Sequence, residues 1–91
     1  MNTFKLKLIT GAALCGLSLA SFAAPNCTTE AKSKWMPEKD MQSRIDAMGY
    51  KVKIFQTTGN CYEIYGYDKD GRKVEIYFNP ADGSVVKQRV G

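Results

Sequence analysis

Residues 50–79 read YKVKIFQTTGNCYEIYGYDKDGRKVEIYFN, and the periodicity of this stretch decides the fold. Tyr50, Val52 and Ile54 alternate with Lys51, Lys53 and Phe55. After Thr58-Gly59-Asn60, a second run from Cys61 to Asp68 sets Tyr62 and Ile64 against Glu63, Tyr65 and Tyr67. A third, from Arg72 to Asn79, sets Val74, Ile76 and Phe78 against Lys73, Glu75 and Tyr77. Period two is the signature of β-strands, whose successive side chains leave opposite faces of a sheet. The connections are short. Asp68-Lys69-Asp70-Gly71 is a tight turn with a glycine available for positive φ, so consecutive strands run antiparallel, as a meander.

Downstream, Pro80-Ala81-Asp82-Gly83 breaks the third run, and Ser84 to Val90 is expected to add a short terminal strand. Upstream the period changes. Met41, Ile45 and Met48 recur at helical spacing, Pro37 suits a first helical position, and Glu38 and Asp40 complement the helix dipole. Gly49 stands where a left-handed cap is needed, so a helix is predicted from about Pro37 to Met48. The expected fold is α+β, with one N-terminal amphipathic helix packed on one face of a three- to four-stranded antiparallel meander sheet. Val52, Ile54, Ile64, Val74, Ile76 and Phe78 are expected under Met41, Ile45 and Met48. The other face is expected to carry Phe55, Tyr65, Tyr67 and Tyr77 among Lys53, Lys73, Glu63 and Glu75, open to water. Trp35, just before the helix, reads as a hydrophobic plug under the sheet.

The amino terminus has a different character. Lys5 and Lys7 precede an apolar run from Leu8 to about Ala20, and Ser21-Phe22-Ala23 places small residues where a signal peptidase reads. Residues 1–23 are expected to be a cleaved secretory signal, followed by an extended lead-in over 24–34 and one domain over 35–91. The apolar run is too short to span a bilayer comfortably, so no stable membrane insertion is expected after cleavage. The location is then periplasmic or secreted. Of the three cysteines, Cys27 and Cys61 lie beyond the signal. An oxidising compartment and a core this small favour a disulfide between them over two free thiols.

Charge excludes one class of partner. The chain carries a formal net charge of +4, and removing the two signal lysines leaves about +2, well mixed along the remainder. That is no nucleic-acid footprint.

Several linked motifs resemble the small secreted PepSY-like domains of bacteria. They are Trp35-Met36-Pro37 before an acidic helix, Gly49-Tyr50-Lys51-Val52, Cys61-Tyr62-Glu63-Ile64-Tyr65-Gly66, Asp68-Lys69-Asp70-Gly71-Arg72, and Asn79-Pro80-Ala81-Asp82-Gly83. The resemblance runs from about Cys27 to the end. It departs from the family's pattern at the final turn, where Asp82 replaces the usual threonine. PepSY-like domains occur in propeptides of thermolysin-type metallopeptidases and in envelope proteins. The resemblance therefore implies a protein partner, a peptidase or an envelope protein that the domain restrains.

The residues themselves offer little catalytic machinery. The chain has no histidine. Ser33, Ser43 and Ser84 lack a nucleophile-elbow context, and Glu63 with Glu75 would sit on a strand face in water. Asp68-Lys69-Asp70-Gly71 opens like a calcium loop, but Asn79 stands where the twelfth-position glutamate is required. No enzyme activity, cofactor or metal site is expected. Lys53, Phe55, Tyr65, Tyr67, Lys73 and Tyr77 remain as the candidate partner surface, since tyrosine is enriched in binding hot spots. A cross-strand aromatic row that only stabilises the sheet is the competing reading. A small-ligand or metal-sensing domain, and a structural envelope protein that self-associates as a homo-oligomer through this face, also stay open.

Overall fold

The computed structural model describes residues 23–91; the expected signal peptide lies almost wholly outside the described residues. The lead-in is extended apart from one 3₁₀ turn, Lys32–Lys34. One helix follows, α1 (Glu38–Ala47), and then four strands, β1 (Lys51–Thr58), β2 (Cys61–Tyr67), β3 (Lys73–Phe78) and β4 (Val85–Val90). The strands form one antiparallel sheet in the order β1-β2-β3-β4. The fold is α+β, and the terminal strand pairs with β3.

Pro37 caps α1 at its start, and Glu38 and Asp40 occupy the first turn. The helix stops at Gly49, which adopts φ 94°, a left-handed conformation that costs a residue without Cβ little. Met41 and Ile45, one turn apart on α1, are completely buried. They pack on Tyr62, Ile64, Val74, Ile76 and Phe78, with Trp35, Met36, Tyr50 and Phe55 around the margin. Trp35 meets the Tyr62 ring edge-on at 5.5 Å, and the Tyr62 hydroxyl donates to the Met36 carbonyl at 2.6 Å. This anchors the chain entering α1 to the middle of the sheet.

The expected inner face needs correction in β1. Val52 pairs with Gly66 but Ile54 pairs with Tyr65, so Lys53 is an extra residue in a β-bulge. Beyond the bulge the alternation is inverted. Ile54 turns to the outer face and is 50% exposed, while Phe55, opposite Ile64, joins the helix side and lies 5.2 Å from the Tyr62 ring. Gly66 makes the bulge possible, because a Cβ there would be driven into the Lys51 carbonyl oxygen. Val52 and Met48 also fall short of the core. Val52 lies on an edge strand and Met48 is the cap residue of α1; both are exposed. A second bulge, with Val86 as its extra residue, interrupts β4 between Val85 and Lys87.

The Asp68 carboxylate organises the β2–β3 turn. Its Oδ1 accepts the amides of Asp70 and Arg72, and its Oδ2 accepts Arg72 Nε at 3.0 Å. Backbone hydrogen bonding from Arg72, then from Asp70, with the Arg72 charge, holds the carboxyl below the usual carboxylate range. The β3–β4 turn is built similarly, with Asn79 Oδ1 accepting the Ala81 amide and Asp82 Oδ1 accepting the Ser84 amide. Asp82 therefore does the hydrogen-bonding work of a turn residue.

Candidate partner-docking groove

The outer face divides into a covered end and an open end. At the covered end, Cys27 and Cys61 form a disulfide. The Cys27 amide donates to Asn60 Oδ1 at 2.8 Å, and Asn60 Nδ2 donates to Asn26 Oδ1 and to the Thr28 carbonyl. The lead-in is thus strapped over the β1–β2 turn. Ala24, Cys27 and Cys61 close over Tyr77, which retains 3% exposure. Tyr77 lies on the outer face but is not available to a partner, and this corrects its place in the candidate surface. The sequence pattern shows which face a tyrosine takes, but not that a segment fifty residues away returns to cover it.

Glu63 sits beside this cover and is 1% exposed, not out in water as expected. Its Oε1 accepts Thr58 Oγ1 at 2.7 Å and Gln56 Nε2 at 3.0 Å, while its Oε2 is buried without a hydrogen-bond partner. Glu75 lies on the neighbouring strand. Its Oε2 accepts the Tyr77 hydroxyl and its Oε1 accepts Arg89 Nη1, both at 3.1 Å. Burial pushes the Glu75 carboxyl up, but hydrogen bonds donated by the Tyr77 and Tyr65 hydroxyls and by Arg89 outweigh it and leave the pKa lowered. The same neighbourhood acts oppositely on the phenols. Desolvation, then hydrogen bonding to Glu75 and the negative charge of both glutamates, pushes Tyr65 up to about 12, and Tyr77 rises for the same reasons.

At the open end a groove of about 450 Å³ crosses the sheet, lined by Lys53, Tyr65, Tyr67, Lys73, Glu75 and Arg89 among others. The cross-strand pairs Tyr67 with Lys73, Tyr65 with Glu75 and Glu75 with Arg89 bring these side chains together. Four of the residues named from sequence therefore meet here. Phe55 does not, because the β1 bulge carries it to the helix side. Glu75 and Arg89 are additions; the alternation of Lys87 and Arg89 along β4 was the only available signal for the latter, and its use required the register. No cluster of three or more His, Cys, Asp or Glu side chains suited to a metal ion occurs among the described residues. The groove offers cations, phenolic donors and ring faces, a set suited to holding a polypeptide.

A family model described as peptidase propeptide and YPEB domain matches residues 7–89. The chain belongs to the PepSY family. No curated protein and no solved structure gives a match. In this PepSY domain, the Trp-Met-Pro segment is the anchor of α1 on Tyr62, and the glycine of Cys-Tyr-Glu-Ile-Tyr-Gly is the one the β1 bulge requires. The family description relates the domain to peptidase propeptides. Among the described residues no helix is long and apolar enough to cross a membrane.

Proposed function

We propose that this PepSY domain is a non-catalytic, exported interaction module that docks a protein partner, a peptidase or an envelope sensor, in the outer-face groove and restrains it stoichiometrically. The observation that carries the reading is the exposure of Tyr65, 40%, between Lys53 and Lys73 on a face that no helix covers among the described residues. A large ring of low conformational entropy, ringed by charges, is the composition of a binding hot spot. The family's tie to peptidase propeptides favours a peptidase as the partner. Export with removal of residues 1–23 is supported by the Cys27–Cys61 disulfide, a bond that persists in oxidising compartments.

Immobilised oxidised domain, used as bait in envelope extract of the native cells, tests the reading. Wild-type domain is expected to retain one or a few partners, and Tyr65→Ala to lose them while melting as the wild type does. Retention by a normally folded Tyr65→Ala variant removes the groove as the docking site. Where the retained partner is a peptidase, titrating the domain into it should reduce turnover with a one-to-one endpoint.

A further inference from the structure

We infer that the groove takes an extended polypeptide segment bearing carboxylates at alternate positions. The inference rests on the docking reading and specifies the chemistry of the partner. Of the three cations in the groove, Arg89 is engaged by Glu75 at 3.1 Å. Lys53 and Lys73 are exposed and form no ion pair with a described residue. Glu75, the acidic residue of the lining, is already taken up by Arg89 and by the Tyr77 hydroxyl. The side chains of the groove therefore present two uncommitted positive charges and one satisfied negative one. A basic segment would meet repulsion there; an acidic segment would not.

Spacing narrows the partner further. Lys53 belongs to β1 and Lys73 to β3, with Tyr65 and Tyr67 of β2 between them. Adjacent strands lie about 4.8 Å apart, which sets the two lysine stems roughly 10 Å apart. In an extended segment, residues i and i+2 or i and i+4 face the same side and lie about 7 or 13 Å apart, so such pairs bracket the lysine separation. The intervening residues and the segment's backbone would lie over the two tyrosine rings.

Fluorescence anisotropy with the oxidised protein and three labelled nine-residue peptides tests this. The peptides share a Thr/Val background and carry Glu, Gln or Lys at positions 3, 5 and 7. Glu is expected to bind more tightly than Gln by up to about twentyfold, in line with two surface ion pairs, each changing affinity by up to roughly fivefold. Raising salt should erase the advantage, and the Lys peptide should not bind. Lys53→Glu combined with Lys73→Glu should reverse the preference, and because both side chains are exposed its thermal melt should match wild type. Equal binding of the Glu and Gln peptides, or an unchanged preference in the folded double variant, overturns the inference. If the preference is absent while Tyr65→Ala still abolishes partner capture, only the acidic specificity falls. If Tyr65→Ala and the double lysine variant both leave capture intact, the docking reading falls with it.

Discussion

Replacing both Cys27 and Cys61 by serine removes the strap while leaving its hydrogen bonds to Asn60 in place. The two cysteines are 34 positions apart in sequence. In the chain-entropy treatment, a closed loop of that size restricts the unfolded chain by about 13 cal/mol/K, or about 4 kcal/mol at 25 °C. For a domain of roughly 70 residues, total stability is on the order of 4–10 kcal/mol, so the bond accounts for a large share of it. Thermal midpoints in this size range move about 4–8 °C per kcal/mol, and the double serine variant should melt some 15–30 °C lower than the oxidised protein. Urea unfolding followed by Trp35 fluorescence gives the free energy directly. Trp35 packs on Tyr62 on the opposite side of the sheet from the strap, so it reports global unfolding rather than strap release. A variant that loses less than about 1 kcal/mol, at an unchanged denaturant slope, would refute the claim that this bond stabilises the domain.

Three further outcomes follow from the geometry. Gly66→Ala should destabilise by more than about 3 kcal/mol, because the new methyl meets the Lys51 carbonyl; Phe55→Ala should cost roughly 2–3 kcal/mol and Ile54→Ala under about 1, and the reverse order in urea unfolding would contradict the β1 bulge. Glu63→Gln keeps the acceptor used by Thr58 and Gln56 and puts a neutral amide where the unpartnered Oε2 lies, so its stability should match or exceed wild type by up to about 1 kcal/mol; a loss above that would show that Oε2 makes a stabilising interaction. Because Tyr62, Tyr65 and Tyr77 are raised above the ordinary phenol value, their contribution is fully present below about pH 10 and is lost as pH rises through the folded values, about 12 for Tyr65. Ultraviolet titration should show Tyr62, Tyr65 and Tyr77 ionising late, with Tyr65→Phe removing one late ionisation; ionisation of these three near pH 10 would exclude the shifts.

Much of the core was legible because its signals are local. Met41 and Ile45 at helical spacing, and Ile64, Val74, Ile76 and Phe78 at strand spacing, are all buried together. Phe55 and Ile54 were assigned to the wrong faces for an identifiable reason. Alternation is counted along one strand, but the face is set by pairing with the next, and a single unpaired Lys53 inverts the count. The sequence pattern placed Lys53, Tyr65, Tyr67 and Lys73 on one face, and all four line the groove. The exposure expected of Tyr77 failed because its cover comes from Ala24 and Cys27, residues distant in sequence and brought back by a covalent bond and the Asn60 side chain, and that expected of Glu63 failed where Thr58 and Gln56 donate to its buried carboxylate.

The sequence by itself determined one helix, antiparallel strands joined by short turns, and two cysteines available to bond, since each follows from periodicity, turn chemistry or composition over a few neighbouring residues. Only the tertiary structure decided which side chains line the groove. That choice depends on register, on a bulge accommodated by a glycine packed against the Lys51 carbonyl, and on a strap closing across the sheet. These are contacts between distant segments, whose free energy no local pattern encodes.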